Sequence, residues 1–102
     1  LVAWNKETGQ RLLIQVKSSQ ISRGEKNRLE FQLGLGKNKR LPIRYDFDII
    51  ALVSSEQRAV YFMPVTAIRQ KKMNKQPSFF ENSELEADSW KKSVEDLRYE
   101  LT

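Results

Sequence analysis

The chain has 102 residues, a formal net charge of +5, 39% hydrophobic and 30% charged residues, and neither cysteine nor histidine. One small globular domain over residues 1–102 fits that length, and the two absences exclude a disulfide framework, thiolate chemistry, histidine acid–base catalysis and histidine-ligated zinc. No apolar run is long enough to span a membrane, no secretory leader is read at the start, and the expected address is cytoplasmic. Any catalysis must then use carboxylates, lysine, tyrosine, hydroxyls or an oxygen-ligated metal. The first residue is Leu1 and not methionine, so the chain is expected to begin inside a longer natural sequence.

Leu1–Trp4 reads as a short strand. Asn5–Gln10 follows as a turn, with Asn5 and Gly9 as its turn residues. Arg11–Ser19 is the return strand of an antiparallel hairpin. Ile21–Asn27 is a basic, polar connection. Arg28–Gly36 alternates: Leu29, Phe31, Leu33 and Leu35 share one face and Arg28, Glu30 and Gln32 the other, the pattern of a half-buried strand. Lys37–Tyr45 is basic, carries Pro42, and is compatible with a short helix. Ile49–Val53 is a continuous apolar run, which predicts a strand buried on both faces near the middle of a sheet. Glu56–Arg58 is a tight connection. Ala59–Ile68 is a further strand, with Pro64 marking its end or an edge position. Arg69–Phe80 reads as a loop. The tail from Ser83 is helical: Ser83 and Glu86 have capping-box spacing, and Trp90, Val94, Leu97 and Leu101 fall on one face that docks on the sheet. The expected architecture is α/β or α+β, with a mixed sheet of about five strands.

Charge is unevenly placed. Arg23 to Arg44 carries seven basic residues (Arg23, Lys26, Arg28, Lys37, Lys39, Arg40 and Arg44) against Glu25 and Glu30, a surplus equal to the net charge of the whole chain. Arg69, Lys71, Lys72 and Lys75 form a second basic cluster. The tail from Glu81 reverses sign, with seven acidic residues against three basic. This split predicts a polyanion-facing region and a solvated acidic helix; a charge run taken alone also reads as ordinary loop solubility.

Gln15 and Lys17 close an otherwise apolar strand. Side chains two apart on a strand share a face, with roughly 7 Å between their Cα atoms. Phosphodiester cleavage with a hard divalent cation needs oxygen ligands and a positive group near the attacked phosphate or water. An amide oxygen two residues before a lysine meets part of that need. The amide is a weaker ligand than a carboxylate because it is neutral. On pattern alone the pair is also an ordinary exposed strand end. Ser18 and Ser19 follow it, either as phosphate contacts or as simple strand termination. Asp46 and Asp48 precede the buried strand, where a structural cap competes with metal binding.

The string Arg11–Ser19, followed by a basic segment and then by Tyr45–Val53 and Ala59–Val65, resembles the PD-(D/E)xK nuclease superfamily. The likeness is greatest to the group I intron-associated homing endonuclease branch, whose signature reads QxK. It covers residues 1 to 68, and the helix around Trp90 is also similar. The resemblance implies a restriction-endonuclease-like mixed sheet with flanking helices and a Mg²⁺-dependent DNA endonuclease, with Mn²⁺ as substitute. It maps Gln15 to the acidic or Gln position that binds metal, Lys17 to the catalytic lysine, and the Val16 backbone carbonyl to a further metal ligand. The chain departs from the family at its start: the N-terminal helix and first strand are not found, and the family's first Asp falls at or just before Leu1. Glu7, in the turn, cannot take that place. The chain thus reads as the larger, C-terminal part of a nuclease domain without a complete metal site.

The alternatives are a catalytically inactive nucleic-acid-binding or assembly module on the same fold, and an unrelated basic interaction domain. The expected partner is DNA, contacted by Ser18, Ser19, Arg23, Lys26, Arg28, Lys37, Lys39, Arg40 and Arg44 around a groove on the Gln15/Lys17 face. Apolar surface left uncovered by the absent helix predicts a homo-oligomer.

Overall fold

A computed structural model describes residues 1–4, 9–21 and 28–101, with the side chains of these except 20–21 and 98–101. The described strands are β1 Val2–Trp4, β2 Arg11–Ser18, β3 Gln20–Ile21, β4 Leu29–Gln32, β5 Ile49–Ser54, β6 Ala59–Pro64 and β7 Lys72–Lys75, and the helix α1 is Leu85–Leu101. Among the described residues there are thus seven strands in two sheets, where the sequence suggested a single sheet of about five. No described helix is long and apolar enough to cross a membrane.

The first sheet has the order β1-β2-β5-β6, and only its β2–β5 pair is parallel. The apolar run of β5 takes the interior: Ile49, Ile50 and Leu52 are fully buried and Ala51 nearly so. That is where a strand apolar on both faces must lie. β6 ends at Pro64 on the sheet's outer edge, where a residue without an N–H breaks no ladder. β1 and β2 form the expected antiparallel hairpin, with Val2 opposite Leu13 and Trp4 opposite Arg11; most of its turn lies outside the described residues.

The second sheet, β3-β4-β7, is antiparallel throughout. The chain enters it directly from β2. Ser19 still donates its N–H to the Val53 carbonyl at 3.2 Å, and the next two residues pair with β4 as β3. Leu29, Phe31 and Leu33 of this layer meet Ile50, Leu52 and Met63 of the first in one buried cluster. Phe80 joins it, with its ring 5.8 Å from that of Phe31.

Two stretches differ from their expected form. Arg69–Phe80 contains β7 and a 3-10 turn, Pro77–Glu81, rather than a loop. β7 carries a single apolar residue, Met73. Lys75 stands on the half-buried side as well, with its ammonium 4.5 Å from the centre of the Phe79 ring; a lysine stem can line apolar surface while its charge stays outside. Lys37–Tyr45 forms turns and no helix, with Lys39 at φ 47° and Gly36 at φ 71°, and left-handed backbone ends a helical path.

The helix α1 lies against β6. Leu85, Ser89, Ser93 and Leu97 recur every four residues, so they fall on one helix face, and the last three are buried. The Ser89 hydroxyl accepts the Phe62 N–H at 3.0 Å, which covers a backbone donor on the sheet's edge. Trp90 packs edge-on against Phe62 with ring centres 5.0 Å apart. The helix start is held by Asn82 and not by the expected Ser83–Glu86 box. Asn82 Oδ1 accepts the Glu84 N–H at 3.0 Å, and the Glu84 carbonyl accepts the Asp88 N–H at 2.9 Å.

Candidate functional site

β2 departs from the usual burial rule at four of its eight positions. Leu13 is 45% exposed and Val16 is 42% exposed, while Gln15 and Lys17 are half-buried. The register explains how. Gln15 lies beside Ile50 and Lys17 beside Leu52, and across the sheet these rows continue to Met63 and Tyr61. Both polar side chains therefore stand on the face that the second sheet covers, at the rim of the core. Among the described residues neither has a hydrogen-bond or ion-pair partner. A strand that half-buries Gln15 and Lys17 while exposing two of its four apolar residues is not optimised for packing.

The backbone groups of β2 turn alternately to its two neighbouring strands. Ile14 and Leu1 exchange both backbone hydrogen bonds, at 2.7 and 3.0 Å. Leu13 and Ser19 turn theirs the other way, toward the β5 side: Leu13 accepts the Asp48 N–H at 2.9 Å and Ser19 donates to Val53. Backbone groups alternate along a strand, so Val16, two residues beyond Ile14, aims its carbonyl and N–H to the β1 side, past Leu1. Ser18 is exposed and Ser19 half-buried at the same strand end.

Asp46 and Asp48 are structural. Asp48 Oδ2 accepts the Leu13 N–H at 2.8 Å, fixing β5 to β2 at the mouth of the sheet. Asp46 takes both terminal nitrogens of Arg40, at 2.7 and 3.1 Å, and the Ile43 N–H at 3.0 Å. The guanidinium first and the amide second hold the Asp46 carboxyl down to about 2.

The basic residues divide into three groups. Arg23 and Lys26 lie outside the described residues. Arg28 is exposed. Lys37, Lys39, Arg40 and Arg44 stand on one double loop, and the second basic cluster is joined to it, because the Lys71 carbonyl accepts the Leu33 and Gly34 N–H groups at 2.7 and 3.3 Å. Two basic stretches some thirty residues apart in sequence thus become neighbours. Lys72 is committed elsewhere, 2.9 Å from Glu30 Oε1. No family model, no curated protein and no solved structure matches this chain.

The donors on β2 can be compared with what a hard cation requires. Gln15 Oε1 and the Val16 carbonyl are both oxygens, the right kind of ligand for Mg²⁺. Both are neutral, and among the described residues no group of three or more carboxylates lies together. The pair fits such an ion in kind but leaves its charge to another residue. Sequence reasoning did not find Tyr45 and Ile43, both strongly exposed. Their pattern offers no signal, since exposure on a loop is set by where the loop is anchored.

Proposed function

We propose that this fold serves a metal-dependent DNA endonuclease of the PD-(D/E)xK kind, whose metal site needs one carboxylate beyond the residues of this chain. The observation that carries this reading is the half-burial of two polar side chains, Gln15 and Lys17, unpartnered among the described residues, on one face of β2 beside a core strand. The register of the hairpin supports it. With Leu1 opposite Ile14, one further step sets the position before Leu1 opposite Gln15, in a non-hydrogen-bonded pair whose Cα atoms are about 4.5 Å apart. A carboxylate there shares the face of Gln15 and Lys17 and adjoins the Val16 carbonyl.

Gln15 Oε1, the Val16 carbonyl and that carboxylate would hold Mg²⁺, or Mn²⁺ in its place. The ion would supply Lewis-acid polarisation of the phosphate. Lys17, on the same strand face, would orient the attacking water or stabilise charge building on phosphorus. The basic double loop supplies phosphate affinity. The restriction-endonuclease-like arrangement and an intracellular address belong to this proposal. So does a homo-oligomer, since Leu1, Val2, Trp4, Leu13 and Val16 expose apolar surface along β1 and β2.

A second reading, an inactive nucleic-acid-binding module, draws on Asp46 and Asp48, both engaged in structural bonds. Plasmid cleavage with and without Mg²⁺ separates the two. A chain extended by an acidic residue before Leu1 is expected to cleave only with the metal, and Gln15→Glu to retain more activity than Gln15→Ala. Metal-independent DNA binding without cleavage favours the inactive module.

A further inference from the structure

We propose that the double loop from Gly36 to Asp46 is a duplex grip, in which Lys37, Lys39 and Arg44 hold phosphates while Ile43 and Tyr45 press against a base step. The proposal rests on the nucleic-acid reading above and adds the residues that deform or stack on the substrate. Tyr45 is 89% exposed and Ile43 is 53% exposed. A single exposed aromatic on a loose loop needs no explanation. This pair stands on a loop that is locked.

The locking is threefold. Leu35 and Arg40 exchange backbone hydrogen bonds at 2.8 and 3.2 Å, closing the first turn. Ile43 and Asp46 close the second, with Asp46 N–H on the Ile43 carbonyl at 2.9 Å and Ile43 N–H on Asp46 Oδ2 at 3.0 Å. The two-pronged Arg40–Asp46 pair ties the turns together. Between them Leu41 and Pro42 turn inward, Pro42 being buried. Ile43 and Tyr45 are left pointing out from an ordered backbone, so little backbone freedom remains to be lost on binding.

The charges name the partner. The one acid between Phe31 and Phe47 is Asp46, and Arg40 takes it. Lys37, Lys39 and Arg44 are exposed, with no acidic partner among the described residues. Cations interleaved with an aromatic and a branched apolar side chain fit a ligand that alternates anionic groups with flat apolar faces. Nucleic acid is such a ligand: phosphates take the cations, and an unstacked base step takes the wedge.

The test is anisotropy of a mixed-sequence DNA duplex titrated with the full chain in EDTA across a salt series. Lys37→Gln, Lys39→Gln and Arg44→Gln together are expected to flatten the slope of log affinity against log salt by roughly 2.7, at 0.9 per phosphate contact. Tyr45→Ala is expected to leave that slope alone and weaken binding about tenfold at every salt concentration, and Tyr45→Phe to restore it. Equal melting temperatures exclude a folding defect in these surface variants. Salt-dependent binding that Tyr45→Ala leaves unchanged overturns the grip and leaves the nuclease reading standing. Absence of salt-dependent DNA binding by the unmodified protein overturns both.

Discussion

β2 and β5 lie side by side, run in the same direction, and are both rich in branched apolar residues. Their burial differs sharply. β5 hides every residue from Ile49 to Leu52. β2 exposes Leu13 and Val16 and half-buries Gln15 and Lys17. Residues on β5 are chosen by packing, whereas those at the end of β2 give up packing for polar groups on an accessible rim. Such local departures from an otherwise consistent pattern are where functional or strained positions are expected.

The contrast is sharpest at one paired position, Leu52 beside Lys17. Leu52→Ala removes a fully buried side chain and is expected to cost about 2–5 kcal/mol in chemical denaturation. A loss below about 1 kcal/mol would mean that β5 is not the structural strand of the pair. Gly34→Ala is expected to cost roughly 1–3 kcal/mol, because an added Cβ would stand 2.7 Å from the Lys39 carbonyl oxygen. The same substitution should weaken DNA binding by displacing Lys39.

Two serines four residues apart on α1 provide a finer comparison. Ser89 accepts the Phe62 N–H, while the buried Ser93 hydroxyl has no partner among the described residues. Ser89→Ala is expected to destabilise by about 1–2 kcal/mol and Ser93→Ala to be neutral or stabilising by up to about 1 kcal/mol. Thermal unfolding of the two variants checks the opposite signs.

The smallest effect concerns acid. The Asp46 carboxyl is lowered in the folded chain by Arg40 and the Ile43 amide. A depressed carboxyl stabilises the fold above its unfolded pKa, near 4, and the contribution disappears as pH falls through about 2. The melting temperatures of the wild type and Asp46→Asn should therefore differ above pH 4 and converge toward pH 2. A difference that persists at pH 2 would assign the loop's order to something other than this ion pair.

What was legible in the sequence follows from range. The hairpin, β5, β6 and α1 announce themselves through local period or an unbroken apolar run, and Pro64 marks the end of β6. β7 was hidden because it carries one apolar residue, and its half-buried Lys75 counts as polar in any pattern. The turns around Lys39 and Tyr45 were hidden because a contact six residues long, Arg40 to Asp46, and the close approach of Gly34 to Lys39 set them. At the candidate site, strand spacing put Gln15 and Lys17 on one face. Their half-burial depends on the second sheet, which no local pattern reports. The meeting of Lys71 with Gly34 is likewise a tertiary fact.

The central claim is that Lys17 is present for chemistry and not for the fold. Lys17→Leu tests it with two readouts on one variant, in a chain extended by an acidic residue before Leu1. Leucine suits a half-buried position beside Leu52, so stability should be unchanged or raised by up to about 1 kcal/mol. Mg²⁺-dependent DNA cleavage should fall at least about a hundredfold, the usual loss when one group that stabilises developing charge is removed. Cleavage that survives undiminished in Lys17→Leu, or a large loss of stability, would contradict the account.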